Sequence, residues 1–326
     1  MEYRRLGATG LPLSALSLGS WATFGVSLGR AEARELCALA FDHGVNFFDN
    51  AETYAAGESE RIMGDVLADL RLPRDAFCVS SKAFFGAANK PLPTQRGLSR
   101  KHLVDACHAA LRRLKVDYLD LYFCHRPDPE VPIAEVVSTM DHLIHQGKIL
   151  YWGTSEWSAK EIAEAVRIAT AQGAEPPRME QPQYNLLHRN RVEVEYAPLY
   201  ADAGLGTTVW SPLASGLLSG KYNRGIPIES RLGSEEHRWL QELVLVDREQ
   251  RLAAVARFQE IARELAVSAA QLAIAWCLGN PQVSTVILGA SNSSQLRENL
   301  ASLYLLPRLD APLRRRLENC FTGLVA

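Results

Sequence analysis

The chain has 326 residues, of which 47% are hydrophobic and 22% charged, with a formal net charge of −2. This balance is typical of a globular protein with enough apolar mass for a large core, and it excludes a disordered chain. The longest run of like charge is the three residues Arg314–Arg316, so the sequence offers no basic face for nucleic acid.

The cysteines and the N-terminus indicate a cellular compartment. There are six cysteines, none in a C-x-x-C or metal-ligand spacing, which favours buried reduced thiols and predicts no metal site: Cys37, Cys78, Cys107, Cys124, Cys277 and Cys320. The opening MEYRRLGATG lacks the apolar core of a signal peptide, and no window approaches the ~18 apolar residues of a membrane span. We therefore expect a cytoplasmic protein without direct membrane insertion.

Short apolar runs recur along the chain with helical patterns between them, which is typical of parallel β–α–β units. A predicted hairpin, Tyr3–Leu6 with Leu11–Ser14, precedes eight predicted strands: Ala15–Leu18, Val45–Asp49, Phe77–Ser81, Leu119–Phe123, Leu150–Thr154, Met179–Gln181, Thr207–Trp210 and Ser284–Leu288. Predicted helices fill the gaps: Ala33–His43, Ser59–Leu70, Lys101–Leu114, Ile133–Gln146, Ala159–Thr170 and Arg191–Ala203. This order predicts an α/β fold, a (β/α)8 TIM barrel that occupies residues 1–326 as a single domain.

Capping residues support several of these helices. Ser99 and Ser158 precede helices, and Glu161 lies three residues after Ser158, as in a capping box. Glycines follow three helices at the position that favours left-handed backbone: Gly44, Gly147 and Gly204. The connection after the seventh barrel strand, residues 212–246, shows no clear period, and we predict a long loop that acts as a lid.

Ionisable side chains follow three successive barrel strands. FFDNAETY contains Asp49 and Tyr54, VSSKAFFG contains Lys82, and LYFCHRPD contains His125. Taken singly, each has a structural explanation: a turn aspartate, a packed tyrosine, a solvated lysine or a core histidine. In a TIM barrel, however, the carboxyl ends of the strands meet at one rim, where active sites lie. Their shared position favours a catalytic group over four unrelated structural residues.

These four residue types can act together on a carbonyl. A tyrosine hydroxyl has a pKa near 10, so a neighbouring cation that favours the phenolate makes it a better proton donor to an alkoxide. Lys82 supplies that cation, and Asp49 holds Lys82 charged and oriented. The imidazole of His125 can donate a hydrogen bond to the substrate carbonyl and orient it. The group is thus predicted to act on a polar carbonyl.

A second, glycine- and hydroxyl-rich cluster lies late in the chain, in the segments 210–222 and 287–300. Ser291 to Gln295 are predicted to begin a helix directly after the eighth strand, where backbone N–H groups and the helix dipole favour phosphate. Lys221 and Arg231 can clamp a pyrophosphate, or can be surface charges on a mobile loop. A G-x-G-x-x-G fingerprint is absent, so a dinucleotide would not bind as in a Rossmann fold.

These motifs resemble those of the aldo-keto reductases over essentially the whole chain. They occur in that family's order and spacing: FFDNAETY, VSSK, LYFCHRPD, YWGTSEWS, EQPQYN, WSPLASGLLSGKY and GASNSSQLRENL. Within the family, the chain is most similar to the beta subunits of voltage-gated potassium channels and their bacterial relatives, through FFG, QRGLSR, GTSEWS and WSPLASG. The resemblance implies NADPH-dependent reduction of small carbonyl substrates by direct hydride transfer, and a homo-oligomer, since close relatives tend to form tetramers.

The resemblance also implies roles for individual residues. Asp49, Tyr54, Lys82 and His125 match the catalytic tetrad, with Tyr54 as general acid. Ser155 and Gln181 match residues that hold the nicotinamide carboxamide, and Trp210 matches the aromatic ring that stacks on the nicotinamide. The remaining expected cofactor contacts are Trp21, then Ser211, Leu213, Gly216, Lys221 and Arg231 along the pyrophosphate, and Gly289, Ser291, Gln295, Glu298 and Asn299 at the adenosine end.

Two positions depart from the family pattern. The channel beta subunits usually carry asparagine at the fourth tetrad position, whereas this chain has His125, which favours turnover over slow cofactor sensing. Many reductases place lysine and arginine around the 2′-phosphate, where this chain has Ala290 and Gln295, so we expect NADPH with NADH also accepted.

Substrate identity is left open by the sequence. Four aromatic residues are expected to line the substrate pocket, although ordinary core or lid packing also explains each of them: Trp21, Phe24, Phe84 and Phe85. Two other functions stay open as well. One is a regulatory subunit that binds NADPH and reports redox state to a membrane partner, and the other is a barrel lyase or aldolase with Lys82 as a Schiff base.

Overall fold

The computed structural model describes residues 1–227, 230–233 and 238–325, without the side chains of Arg231 and Arg238. Eight parallel strands close into a barrel, in chain order around its circumference. Two short antiparallel strands precede them, β1 (Tyr3–Arg5) and β2 (Pro12–Ser14). The barrel strands are β3 (Leu16–Gly19), β4 (Phe47–Asp49), β5 (Cys78–Ala83), β6 (Leu119–Cys124), β7 (Ile149–Thr154), β8 (Met179–Glu180), β9 (Gly206–Val209) and β10 (Val283–Leu288). The predicted (β/α)8 TIM barrel with an N-terminal hairpin is therefore confirmed.

Burial on both faces explains why the strands are apolar throughout. Every residue of β5 and β6 is buried, because helices cover one face and the barrel interior covers the other. The parallel register pairs Lys82 of β5 with Phe123 of β6. Lys82 and His125 consequently emerge at the same rim of the barrel.

The helices lie outside the barrel, and capping residues mark the beginnings of several. Their bounds are α1 (Arg30–Asp42), α2 (Glu58–Leu70), α3 (Arg100–Leu114), α4 (Ile133–His145), α5 (Ala159–Gln172), α6 (Ala197–Asp202), α7 (Arg238–Val244), α8 (Arg248–Glu264), α9 (Ala269–Leu278), α10 (Ser293–Leu300) and α11 (Ala311–Asn319). Ser99 caps α3, and Ser158 with Glu161 forms the predicted capping box of α5. The three predicted glycines have positive φ angles: Gly44, Gly147 and Gly204.

Two predicted elements differ from the structure. The segment predicted as one helix over Arg191–Ala203 is a π-helical turn, Arg191–Glu195, followed by α6, in which Pro198 lies in the first turn and has no N–H to donate. The connection after β9 is not structureless, since it contains the 3-10 helix Ala214–Ser219 and α7. α7 is short: Leu240 is buried in the main core and Val244 packs against it, whereas Trp239 and Leu243 are exposed.

The hairpin seals the amino-terminal end of the barrel. Leu6 and Leu13 are fully buried and pack with Phe47, Leu121 and Met179, separately from the main core between barrel and helices. Leu6 is further fixed by its backbone N–H, which donates to the carbonyl of Leu11 within the hairpin turn. The interior is therefore filled from this end, and accessible residues lie at the opposite rim.

No single helix among the described residues is long and apolar enough to cross a membrane. By length and composition alone, the pair formed by α8 and α9 meets the requirement, but it is bent by 91° at its break. Eight residues of α9 are buried in the protein core: Ala269 and the run Leu272–Leu278.

Candidate active site

Lys82 lies at the centre of the predicted catalytic group. Its ammonium nitrogen donates to both carboxylate oxygens of Asp49, at 2.8 and 2.7 Å, and to the backbone carbonyl of Asn50 at 2.8 Å. It also lies 3.2 Å from the hydroxyl oxygen of Tyr54. The side chain is fully buried, and burial lowers the pKa of Lys82, while the charge of Asp49 opposes that change. The pair holds a cation beside the tyrosine hydroxyl, away from solvent.

Asp49 is itself held by further donors. The hydroxyl of Ser80 donates to its Oδ1 at 2.9 Å, and the side-chain amide of Gln181 donates to the same atom at 3.0 Å. A buried carboxylate needs such compensation in addition to its ion pair. Gln181 thereby connects the Lys82–Asp49 pair to β8.

Tyr54 begins a turn with an uncommon backbone. The two residues after it, Ala55 and Ala56, have φ angles of 47° and 52°, and Gly57 has 88°. Left-handed backbone costs a non-glycine residue about 1–2 kcal/mol, and such strain clusters at functional sites. The turn presents Tyr54 at the rim, with its hydroxyl against Lys82 and its ring 5.9 Å from that of His125.

The hydroxyl of Tyr54 is a neutral donor in this environment. Burial raises its pKa well above 10, the charge of Asp49 raises it further, and Arg126 lowers it. That Lys82 eases formation of the phenolate stays a prediction, since the cation that lowers the pKa of Tyr54 here is Arg126. Tyr54 keeps its proton at neutral pH.

His125 is buried and neutral. Burial lowers its pKa well below 6.5, and the positive charges of Lys82 and Arg126 lower it further. Its Nδ1 has no hydrogen-bond partner among the described residues, and the ring packs edge-on against Phe85 at 5.2 Å. A neutral imidazole carries one N–H, so His125 can donate one hydrogen bond to a ligand.

The predicted nicotinamide contacts adjoin the tetrad. The hydroxyl of Ser155 donates to the carbonyl of Gln181 at 2.9 Å. Trp210 is half-buried, and its indole N–H donates to Glu156 at 3.0 Å, which fixes the orientation of the ring. Trp21 packs edge-on against Trp210, with ring centres 5.9 Å apart. These residues line one side of the rim beside Asp49.

The predicted pyrophosphate contacts lie in a loop with repeated left-handed backbone. Ser211 and Gly216 have φ angles of 56° and 93°, and Leu213 is half-buried between them. A Cβ on Gly216 would lie 2.5 Å from Cε of Lys221 and 2.7 Å from its Nζ, so the end of the lysine side chain would have to move, and the φ angle of 93° itself favours glycine. The side chain of Arg231 lies outside the described part of the chain.

The predicted adenosine contacts surround the beginning of α10. Asn292 caps this helix, and the side-chain oxygen of Gln295 accepts from the backbone N–H and the hydroxyl of Ser291 at 3.0 and 2.9 Å. Asn299 donates to the carbonyl of Gly289, and Glu298 is half-buried. Two donors predicted for phosphate are thus used within the protein, and an anion there would compete with Gln295.

The predicted pocket aromatics separate into two groups. Phe84 and Phe85 pack against one another near His125, and Phe85 is 41% exposed. Trp21 is half-buried beside Trp210. Phe24 is only 1% exposed and packs in the main core, so its side chain is closed to solvent and its place in the pocket stays a prediction.

Two charged residues near the tetrad, Glu52 and Arg126, are not among the predicted site residues. The carboxylate of Glu52 accepts from the backbone N–H groups of Phe84 and Gly86, both at 2.9 Å, and contacts His102 at 3.0 Å. Arg126 adjoins His125 in the chain and lies half-buried beside Phe85. Glu52 lies in the motif FFDNAETY and Arg126 in the motif LYFCHRPD. Position in a motif alone does not show whether a charged residue belongs to the site or to the solvent-exposed surface.

Comparison with known proteins decides the family. The model of the aldo/keto reductase family matches residues 15–313. The chain belongs to the aldo/keto reductase family. Its relatives include two plant proteins named as probable voltage-gated potassium channel beta subunits, one from Arabidopsis thaliana and one from Oryza sativa subsp. japonica. Each is 47% identical over 319 residues, which cover 98% of this chain and 96% of the relative.

As a family member with this barrel, the protein is an NAD(P)H-dependent oxidoreductase that acts on small carbonyl compounds. The residues present fit a dinucleotide: a half-buried, oriented indole at Trp210, a glycine that admits Lys221 against the backbone, and a helix that begins directly after the last strand. Among the described residues, no three His, Cys, Asp or Glu side chains come together as metal ligands.

Proposed function

We propose that this reductase converts aldehydes or ketones to alcohols with NADPH, by direct hydride transfer and with Tyr54 as the general acid. The observation that carries the proposal is the buried ammonium of Lys82, which contacts Asp49 and the hydroxyl of Tyr54 at the rim that His125 shares. We further propose that residues 1–326 form one catalytic domain that acts in the cytoplasm.

Each side chain has a separate task in this proposal. When bound, the reduced nicotinamide supplies the hydride that the carbonyl carbon takes up. Tyr54 donates its hydroxyl proton to the carbonyl oxygen, which becomes the alcohol oxygen. Lys82 stabilises the phenolate that remains by its hydrogen bond to that oxygen, and Asp49 keeps Lys82 in place. His125, neutral at physiological pH, donates its N–H to the carbonyl oxygen and orients the substrate.

The proposed cofactor contacts start with Ser155 and Gln181 at the carboxamide and Trp210 at the ring face. Burial and hydrogen bonds already fix these three side chains, so little ordering is needed on binding. At the other end, Gln295 stands where many relatives place a cation, and its side-chain oxygen is engaged with Ser291. We therefore propose NADPH as the preferred cofactor by a smaller margin than usual, with NADH also bound.

The test combines binding with turnover. Purified protein is titrated with NADPH and NADH by tryptophan fluorescence, and oxidation of NADPH is then followed by absorbance with a panel of small aldehydes. Tyr54→Phe is expected to bind NADPH as the wild type does and to lose about 100- to 10,000-fold in kcat, because it lacks the proton donor. Tyr304→Phe is the matched control, since Tyr304 is 82% exposed and lies in the 3-10 helix Ala301–Arg308, outside the tetrad.

A second candidate function is a subunit that reports cofactor redox state to a channel. The names of the two plant relatives favour it, whereas a neutral, donor-capable His125 favours turnover. Tight NADPH binding without oxidation by any aldehyde would support the subunit, and rapid turnover supports the reductase. Size-exclusion chromatography with light scattering tests the expected homo-oligomer, for which a tetramer is the predicted state.

The lyase or aldolase alternative requires a reactive amine at Lys82. The Nζ atom already contacts both oxygens of Asp49 and the carbonyl of Asn50, and the side chain is fully buried. A Schiff base would break these contacts and leave a buried carboxylate unpaired. Treatment with aldehyde and borohydride is expected to leave Lys82 unmodified by mass spectrometry.

A further inference from the structure

Arg126 is a cation at the active-site rim, beside His125 and Ser155. The described residues include no ion pair for it, although most other buried or half-buried arginines in the chain have one. Its Nη1 donates to the carbonyl of His125 and, at 3.2 Å, to the hydroxyl of Ser155. Two hydrogen bonds to neutral oxygens leave the positive charge available to a ligand.

The remaining guanidinium nitrogens of Arg126 are accessible. The side chain is half-buried, and neither Nε nor Nη2 is among the buried polar atoms that lack a partner. The guanidinium carries five N–H donors in a planar fork that matches a carboxylate. One side of this fork is held by His125 and Ser155, which fixes the position of the guanidinium beside these two residues.

The surroundings of Arg126 combine this charge with an apolar wall. Its Cζ atom lies 5.8 Å from the ring centre of Phe85, and that ring packs on the imidazole of His125. The field of Arg126 also reaches the reacting groups, since its charge lowers the pKa of both Tyr54 and His125. A molecule held between Tyr54 and Phe85 therefore lies within reach of the guanidinium.

We propose that Arg126 forms an anion subsite of the active site, so that the preferred substrates are carbonyl compounds that carry a carboxylate, such as keto acids or acid aldehydes. This inference rests on the proposed reductase function and adds its substrate class. The carbonyl oxygen contacts Tyr54 and His125, while the carboxylate of the same molecule accepts from the accessible side of Arg126. Charge-assisted, two-point contact of this kind is worth more than a hydrogen bond between neutral groups.

The test uses matched acid and ester substrates. Phenylglyoxylate is compared with methyl phenylglyoxylate, and 4-carboxybenzaldehyde with methyl 4-formylbenzoate, each as kcat/KM with NADPH. The wild type is expected to prefer the acid in at least one pair, and Arg126→Gln to lower that acid-to-ester ratio about 10- to 100-fold. The ratio cancels any general effect of the substitution on Tyr54 or His125, because both substrates meet the same groups.

Two further variants test whether the acid preference depends on the positive charge of the Arg126 side chain. Arg126→Lys keeps a cation without the planar fork and is expected to restore part of the acid preference. Arg263→Gln is the matched control, since the side chain of Arg263 is 75% exposed on α8, and it should leave the ratio unchanged. A wild type without preference in both pairs, or an Arg126→Gln variant that keeps the preference, would overturn the subsite.

A binding measurement separates this inference from the proposed function. Mandelate and methyl mandelate are titrated into wild type and Arg126→Gln in the presence of NADP⁺, by tryptophan fluorescence. Tighter binding of mandelate by the wild type alone supports the subsite even if no substrate is turned over, and equal binding of acid and ester overturns it. Absence of turnover with all four carbonyl compounds would instead count against the reductase.

Discussion

Glu180 is a buried carboxyl that lies directly before Gln181 and close to the site, but outside it. Its side chain is fully buried at the end of β8; one oxygen accepts from the hydroxyl of Thr154, and Oε1 has no partner among the described residues. Burial raises the pKa of Glu180 from 4.5 to about 8. We expect the stability of the whole protein to depend on the protonation of this one group.

The sign and size of this pH dependence follow from the linkage between proton binding and folding. Because the folded state has the higher pKa, it binds the proton more tightly, and the contribution of Glu180 to stability is present below about pH 4.5 and is lost as pH rises to about 8. This pKa shift corresponds to about 5 kcal/mol of unfolding free energy, at about 1.4 kcal/mol for each pKa unit. Glu180→Gln cannot ionise and keeps an oxygen for Thr154, so it should be more stable than the wild type at pH 8.5.

Urea unfolding of both proteins at pH 5.5 and 8.5 tests this reasoning. The advantage of Glu180→Gln should be about 3 kcal/mol larger at pH 8.5 than at pH 5.5. Glu164→Gln serves as the control, since Glu164 is 42% exposed and its pKa is lowered by a hydrogen bond from Arg167. Parallel stability profiles for wild type and Glu180→Gln would refute the assigned role of burial.

Three further substitutions have defined outcomes. Lys82→Met leaves the buried carboxylate of Asp49 without its cation and should lower the unfolding free energy by about 3–5 kcal/mol. The double variant Lys82→Met with Asp49→Leu should regain stability but not activity. Urea unfolding measures the stability of both variants, and aldehyde turnover measures their activity. Gly216→Ala places a side chain at φ 93° and displaces Lys221, so fluorescence titration should show weaker NADPH binding, while an unchanged Kd would contradict the cofactor contact. Glu52→Gln weakens the hydrogen bonds that the carboxylate accepts from the backbone N–H groups of Phe84 and Gly86. We expect steady-state kinetics to show a higher KM for aldehydes at nearly unchanged kcat.

The parts predicted from sequence are those that depend on local pattern and order along the chain. Buried parallel strands are continuous apolar runs, so all eight could be located, and the rule that strand ends share a rim placed Asp49, Tyr54, Lys82 and His125 together. Capping at Ser99 and Ser158 was also predictable, because a cap involves residues only three apart.

Features that depend on packing depth or on distant partners were not predictable. An aromatic residue after a strand can face the rim or the core, and only the fold shows that Phe24 is buried while Phe85 is exposed. The pKa of Tyr54 depends on its burial and on the charge of Asp49, and spacing along the chain shows neither. α9 is apolar on every side, so it lacks the period that identifies an amphipathic helix.

The hairpin that closes the barrel has a kinetic consequence. With Leu6 and Leu13 filling the amino-terminal end, we expect molecules that reach Lys82 or His125 to enter and leave through the opposite mouth of the barrel. Cofactor and substrate would then both use this mouth of the barrel. We expect whichever of them contacts the deeper residues to bind first and leave last, which would set an order of addition and release in each catalytic cycle.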